Sequence, residues 1–534
     1  MVENVSSRGF DSVVQRRRQT ISAGKQHWIP RAAATRLTGI PVSERDVFDA
    51  IILGGGPAGS SAGRLLSAWG HSVLLLDVPG PLARGLAESL PPSTQKLLAQ
   101  IGVLEAVESA GFFRATGNTV WWASHDRRTE SFGSARQAEG YQVHRPAFDR
   151  VLRDCARDAG AHVLTNARVR GVQLVEDRMA TVEYDEGGQR QSASCRFVID
   201  CSGRAGLVGR QFRRPEPGYR TSAFVGVWNR PDGWPLADDT HTIVETYDEG
   251  WMWSVPVSKT TRHVGAMIDR GSSTAAGGRA LEQVYRAETT KATNIAGLLE
   301  QATLEHVWTC DASLYSASQY AGSQFLLAGD AGSFIDPLSS FGVKKALASA
   351  WLGAIAVHTS LTDPDRHGIA MQFFSDWERD VYARHLHRSR QFARDAFARH
   401  PHQFWASRAT ANTESRQEVD ENDALRPEVL AAFERFKRAP SIHLALSSEA
   451  RFELRPVIRD REIVLEEALV GPASETLRFM GNVDLVKLAG IACRHTDVPD
   501  VFDDYCRTCA AVPLPNVVSG LSLLVARGIL HERA

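Results

Sequence analysis

Residues 47–59 read VFDAIILGGGPAG, an apolar run from Val47 to Leu53 that passes straight into Gly54-Gly55-Gly56-Pro57-Ala58-Gly59. Short runs of this kind form strands buried on both faces of a parallel sheet. The small-residue stretch SSAGRLLSAWG that follows reads as a helix, and a second apolar run, His71 to Leu76, ends at Asp77. Strand, glycine turn, helix, strand and acid together make the dinucleotide-binding fingerprint in its required context. Gly54 permits the tight turn, Gly56 lets the backbone approach a pyrophosphate, and Gly59 lets the helix close on the strand. Pro57 and Ala58 open the helix, whose free N–H groups face the diphosphate. Asp77, 18 residues beyond Gly59, is placed to accept from a ribose hydroxyl. Gly59-Ser60-Ser61-Ala62-Gly63 also matches the GxSxG nucleophile elbow. The turn is already used by Gly54 to Gly59, so Ser61 falls inside the helix and a hydrolase is not expected.

Around this unit the composition excludes several classes. The chain has 534 residues, 43% of them hydrophobic, with 12 Trp and 22 Phe, enough for a sizeable core in three to four domains or subdomains. Lys and Arg number 61 against 62 Asp and Glu, which argues against a nucleic-acid or anionic-membrane binder. No apolar run approaches the ~18 residues needed to span a bilayer. Seven cysteines, odd in number and thinly spread, suit a reducing compartment, so a cytoplasmic protein is expected. Residues 1–45 carry eight basic and three acidic groups and read as a flexible basic extension.

Two further strands end in polar motifs: Val198-Ile199-Asp200-Cys201-Ser202-Gly203-Arg204, with D-x-S-G-R, and Phe325 to Ala331, with Gly329-Asp330. With His144-Arg145-Pro146-Ala147-Phe148-Asp149 they resemble, in order, the FAD-dependent monooxygenases of the aromatic-hydroxylase type. The resemblance implies an α/β fold. A Rossmann-like (GR2-type) FAD domain is interleaved with a mostly antiparallel β substrate domain, and a helical region follows. It further implies that the Asp330 carboxylate meets the flavin's ribityl chain, that Arg145 contacts the FAD side, and that the helix after Gly329 points its N-terminus at the isoalloxazine. NAD(P)H or a separate flavin reductase would supply electrons.

Within that superfamily the chain is most similar to the flavin-dependent halogenases, tryptophan-halogenase-like, and their hydroxylating relatives. Ala87-Glu88-Ser89-Leu90-Pro91-Pro92-Ser93-Thr94-Gln95-Lys96 looks like G-E-x-x-x-P-x-x-x-K, which puts Glu88 on the cofactor and Lys96 at the catalytic lysine. Gly250-Trp251-Met252-Trp253-Ser254-Val255-Pro256 resembles W-x-W-x-I-P, with Trp251 and Trp253 walling off a reactive oxygen species. Phe334-Ile335-Asp336-Pro337-Leu338-Ser339-Ser340-Phe341-Gly342 matches F-x-x-P-x-x-S-x-G. That match carries Pro337, Gly342 and Val343 over as flavin contacts and Ser340 and Phe341 as catalytic positions. The departures set the expected reaction. Where halogenases keep a small Ser or Thr beside the halide, this chain has Phe341, with Lys344-Lys345 after the glycine, and Ser339 replaces the acid of the indole-type enzymes. Oxygen insertion through a flavin C4a-hydroperoxide, on an indole- or phenol-like substrate, is therefore expected. Halogenation is the alternative, and an FAD-bound partner-binding scaffold is the alternative of another class. The substrate is a small aromatic molecule or one borne on a peptide or protein.

The expected FAD domain comprises 46–110, 140–215 and 305–350; the substrate domain 111–139 and 216–304; a helical region 351–450. Residues 451–534 weakly resemble a winged helix, including those that capture leader peptides; a plain packing appendage is the first reading, and partner capture, with Leu524, Ile529 and Leu530 as a candidate docking face, is the alternative. Cys493, His495, Cys506 and Cys509 are spaced too closely for a zinc module, so no metal is expected. His385-Leu386-His387 and His400-Pro401-His402 read as surface.

Overall fold

The computed structural model describes residues 47–532 apart from 79–84, 125, 134–138, 176–178, 271–279, 411–425, 440, 473–475 and 510. The extension over 1–45 lies outside the described residues. The chain forms two compact units, divided between Ala411 and Asn412.

In the larger unit the strand Val47–Leu53 forms as read, and Ala50, Ile51, Ile52 and Leu53 have no exposed surface. It pairs in parallel with Val73–Leu76 on one side and Gln189–Asp200 on the other. Each such buried Ile or Leu contributes about 1.5–3 kcal/mol, which makes this strand the anchor of the sheet. Gln189–Asp200 serves two partners along one edge. Its first half pairs antiparallel with Ala180–Glu186, and its last three residues pair in parallel with Phe325–Leu327. Every polar motif of the fingerprint therefore emerges at one end of this sheet, where open α/β sheets bind ligands. Helix α1 (Pro57–Ala68) lies on the sheet with Gly59, Ser60, Ser61, Ala62 and Gly63 all buried, so its small residues serve close packing and Ser61 sits inside the helix. Helix α2 (Thr94–Ile101) follows the Pro91-Pro92 turn. Helix α3 (Gly342–Thr362) is buried almost all round, as an Ala-rich helix between two layers must be, and packs on α1 and on α4 (His367–Arg399).

The second sheet runs in the order Thr303–Asp311, Thr221–Asn229, Thr261–Asp269, Gly250–Pro256, Thr242–Tyr247, Gly117–Trp121, Arg128–Ser131. Residues 303–311, assigned above mostly to the FAD domain, thus form an edge strand of this sheet. Strand alternation sorts Gly250–Pro256. Met252 packs with Phe224, Trp228 and Tyr285 on one face, while Trp251 and Trp253 pack with Trp308 and Trp405 on the other.

The C-terminal unit has helices Arg426–Arg438, Leu485–Ala492, Val498–Thr508 and Leu514–Ala526 and a hairpin of Arg451–Arg459 with Glu462–Val470. Its core takes in Phe436, Ile442 and Leu444, so the unit begins before residue 451, within the stretch read as a helical region. Leu524 and Ile529 are fully buried and Leu530 is 1% exposed, all in that same core. They are core residues and cannot be the docking face expected of them.

Candidate active site

At the glycine turn two positions admit glycine alone. Gly54 has φ +101°, and a Cβ there would lie 2.6 Å from the Cys201 carbonyl oxygen; a Cβ on Gly59 would lie 1.8 Å from the Gly54 oxygen. Gly56 differs: a Cβ there would meet nothing closer than Arg145 at 3.6 Å, so this face is open to a ligand. Gly56 is also the N-cap of α1 and makes no side-chain cap bond, with Pro57 in the first turn, which leaves backbone N–H groups for an anion. Asp77 is held at the turn because its Oδ1 accepts the Gly55 N–H at 2.9 Å and Arg153 lies 3.4 Å away. Burial pushes its carboxyl above the usual range against those two attractions. Arg145 donates to both oxygens of Asp149 at 2.9 and 3.1 Å and to Glu88 at 3.4 Å. Burial also raises Glu88 and Asp330, with Arg145 pulling both back down. The Gly329-Asp330 turn is braced from below. Lys345, 3% exposed, donates to the Gly329 and Ser333 carbonyls at 2.7 Å each and pairs with the fully buried Glu378 at 3.6 Å. A diphosphate-linked cofactor with a ribose-side acid fits this cradle, which Gly54, Gly56, Pro57, Ala58, Gly59, Asp77, Arg145, Gly329 and Asp330 would line, with Glu88 bound to Arg145.

The third motif forms a tight loop at the head of α3. Pro337–Ser339 is a single 3₁₀ turn, Ser340 has φ +52°, and Phe341 is the N-cap residue of α3. Phe341 is 9% exposed and packs with Tyr219, Leu314, Ile335, Tyr382 and Leu386. Its ring also lies 5.6 Å from that of His385 and 4.8 Å from the Lys344 ammonium. Beside it a Cβ on Gly342 would meet nothing within 4 Å, so Gly342 borders open space, while Val343 is buried. Lys344 in turn donates to Ser93 Oγ at 2.8 Å, which ties α3 to the turn before α2. Lys96 is exposed on the first turn of α2. His385, read as surface, is packed against Phe341, and burial together with Arg384, Lys345, Arg388 and Lys344 drives its pKa down to about 3. His400, also read as surface, is 8% exposed and meets Asp248 at 2.7 Å.

A small cavity, with room for about one water, adjoins the start of this loop at Asp336, Pro337 and Leu338, with Trp251, Trp122 and Trp405 on its walls. Trp253 packs in the same cluster without lining the cavity. Asp336 accepts the Leu338 N–H at 3.1 Å, and burial pushes its carboxyl up. Reading the sequence missed Asp336, Trp122, Trp405 and Arg408. Asp336 lay within a quoted motif, but the other three come from remote segments with no spacing to link them. Among the described residues no cluster of His, Cys, Asp and Glu is arranged to hold a metal ion, and no helix is long and apolar enough to cross a membrane. His495 bonds Asp504 at 2.8 Å.

Residues 47–352 match the FAD binding domain family. The flavin-dependent halogenase armH4 of Armillaria mellea is 30% identical over 373 residues, which cover 63% of this chain and 70% of that protein. Among solved structures, the flavin-dependent halogenase CmlS superposes with a TM-score of 0.74 at 21% identity, over 92% of this chain and 96% of the other. The peptidyl tryptophan dihydroxylase QhpG, essential for tryptophylquinone cofactor biogenesis, superposes with a TM-score of 0.65 at 21% identity, over 90% and 100%. At that identity the two structures speak for the shared fold.

Proposed function

On the premise that this chain belongs to the flavin-dependent halogenase family, an FAD-binding oxidoreductase family, we propose that it inserts oxygen into an aromatic ring. Bound and reduced, FAD supplies the oxygen-activating chemistry. The chain's residues supply position and exclusion. The uncapped start of α1 holds the diphosphate, and Asp77 takes a ribose hydroxyl. Asp330, on its braced turn, meets the ribityl chain. Trp251 keeps water from its side of the loop, and the backbone of Gly342 would face the flavin ring. Lys96, exposed on α2, is a hydrogen-bond donor for the oxidant or the substrate.

Relatives' names weigh on the side of halogenation. One observation carries the oxygen reading: Phe341 occupies the position of the small hydroxyl residue beside the halide, and its ring is locked into a core cluster. A substrate borne on a peptide is supported by the whole-length likeness to the peptidyl tryptophan dihydroxylase. A separate flavin reductase is the proposed electron source. The test is to reduce the FAD-loaded protein, mix it with O₂, and measure hydrogen peroxide with and without indole, phenol or a tryptophan-containing peptide. A productive ring should lower the peroxide yield. A yield unchanged by all three would contradict an aromatic-ring oxidase.

A further inference from the structure

Helix α3 opens with two adjacent lysines, Lys344 and Lys345, and both are buried. Lys344 is tied to Ser93 Oγ, ahead of α2. The Lys345 ammonium goes elsewhere, to the carbonyls of Gly329 and Ser333 at 2.7 Å each. Those two carbonyls bracket the turn that carries Asp330. Two more groups of the turn are held from the same surroundings. The Gly329 N–H donates to Ser349 Oγ of α3 at 2.9 Å, and the Tyr315 hydroxyl donates to the Asp330 carbonyl at 2.6 Å.

Across from Lys345, α4 contributes Glu378, whose side chain has no exposed surface and lies 3.6 Å from the ammonium. Burial pushes its carboxyl up against that attraction. Such a pair is costly to desolvate, and apolar side chains of similar volume commonly replace one with no loss of stability. Packing of α3 on α4 therefore does not account for a lysine here. What an apolar side chain lacks is a donor, and two of the three hydrogens of this ammonium go to the turn. Its charge acts on the same target. Burial raises the Asp330 carboxyl, and of the cations that draw it back down Lys345 comes ahead of Arg204, Arg145 and Arg213.

We infer that Lys345 is a positioning residue for the cofactor, acting through the Gly329–Ser333 turn to hold the Asp330 carboxylate at the flavin's ribityl chain, while Glu378 neutralises it. The inference rests on the reading that Asp330 meets FAD.

Urea unfolding and fluorescence titration with FAD, both on the full chain, separate position from packing. Lys345→Met combined with Glu378→Leu exchanges the pair for apolar side chains, so unfolding should stay near that of the unaltered protein. The FAD dissociation constant should nevertheless rise about tenfold, and the visible circular dichroism of the bound flavin should change at saturation. Glu378→Gln keeps the ammonium and its two carbonyl bonds, so it should lose stability while FAD affinity and the flavin signal stay unchanged. Asp330→Ala is the reference, and an unchanged affinity there overturns the placing of Asp330 itself. Unaltered FAD binding by the double variant, with weakened binding in Asp330→Ala, overturns the inference and leaves that placing intact. So does an equal loss of affinity in Glu378→Gln, because the loss would then follow stability. If the double variant fails to fold, Ser349→Ala, which removes the acceptor of the Gly329 N–H, decides in its place. It should weaken FAD binding more than Glu378→Gln does, and an equal or smaller loss overturns the inference.

Discussion

The glycine cradle and the aromatic cavity are built on opposite plans. In the cradle, position is set by backbone. Gly54 and Gly59 are fixed by carbonyl oxygens that a single methyl group would strike, and Asp77 is fixed by a backbone N–H. In the cavity, position is set by side chains from many separate stretches, including those around residues 122, 219, 251, 267, 336, 389 and 405, and the indoles of Trp122 and Trp405 are tied off against carbonyls. A backbone-built site tolerates almost no change and serves one cofactor across many reactions. A side-chain-built site can be re-lined one residue at a time.

The largest effect should come from Gly59→Ala, whose added carbon would sit 1.8 Å from the Gly54 oxygen. Neither atom has room to move, so the protein should be recovered unfolded or free of flavin. Gly56→Ala, whose nearest neighbour is 3.6 Å away, should fold and bind FAD more weakly. Comparing flavin-to-protein absorbance for the two variants checks the contrast, and equal FAD content would break it.

Next is Phe341→Thr. Truncating a ring that is 9% exposed in a packed cluster should cost about 3 kcal/mol in urea unfolding, with FAD retained. A loss of FAD on that substitution would mean the loop and the cradle are not separable. Asp77→Ala should act the other way round, leaving unfolding nearly unchanged while raising the FAD dissociation constant about ten- to a hundredfold, the worth of a hydrogen bond to a charged group. Fluorescence titration measures it, and an unchanged constant would remove Asp77 from the site.

The smallest effect is electrostatic. His385 has its pKa lowered to about 3, chiefly by burial, from an ordinary value of 6.5. As pH falls below 6.5 the unfolded chain takes up the proton first, so stability present at pH 7 is lost progressively towards pH 3. The slope is at most about 1.4 kcal/mol per pH unit. His385→Gln should flatten this part of the profile, narrowing the difference in stability between pH 7 and pH 5 by about 1–2 kcal/mol. Parallel urea curves for the two proteins at both pH values would show whether it does.

The same contrast explains what could be read from the sequence. Val47–Leu53, the glycine turn and Asp77 are local, so periodicity and spacing sufficed, and Gly329-Asp330 became legible through family likeness. The pairing of Trp251 with Trp253 on one face followed from strand alternation. Trp122, Trp405 and Arg408 carried no local signal, because their meeting depends on a parallel strand pairing and on where α4 ends. His385 was misread because a polar helix pattern does not reveal a neighbour such as Phe341, 44 residues earlier in the chain. Leu524, Ile529 and Leu530 look like an exposed face only when the helix Arg426–Arg438, which helps bury them, is left out of their unit.

The central claim is that Phe341 turns a halogenase-type site towards oxygen insertion. The FAD-loaded protein should be reduced, mixed with isotopically heavy O₂ in bromide buffer with indole, phenol and a tryptophan-containing peptide, and the products weighed after one turnover. The account predicts a ring that gains one heavy oxygen atom and no bromine. A brominated ring without the oxygen label would contradict it.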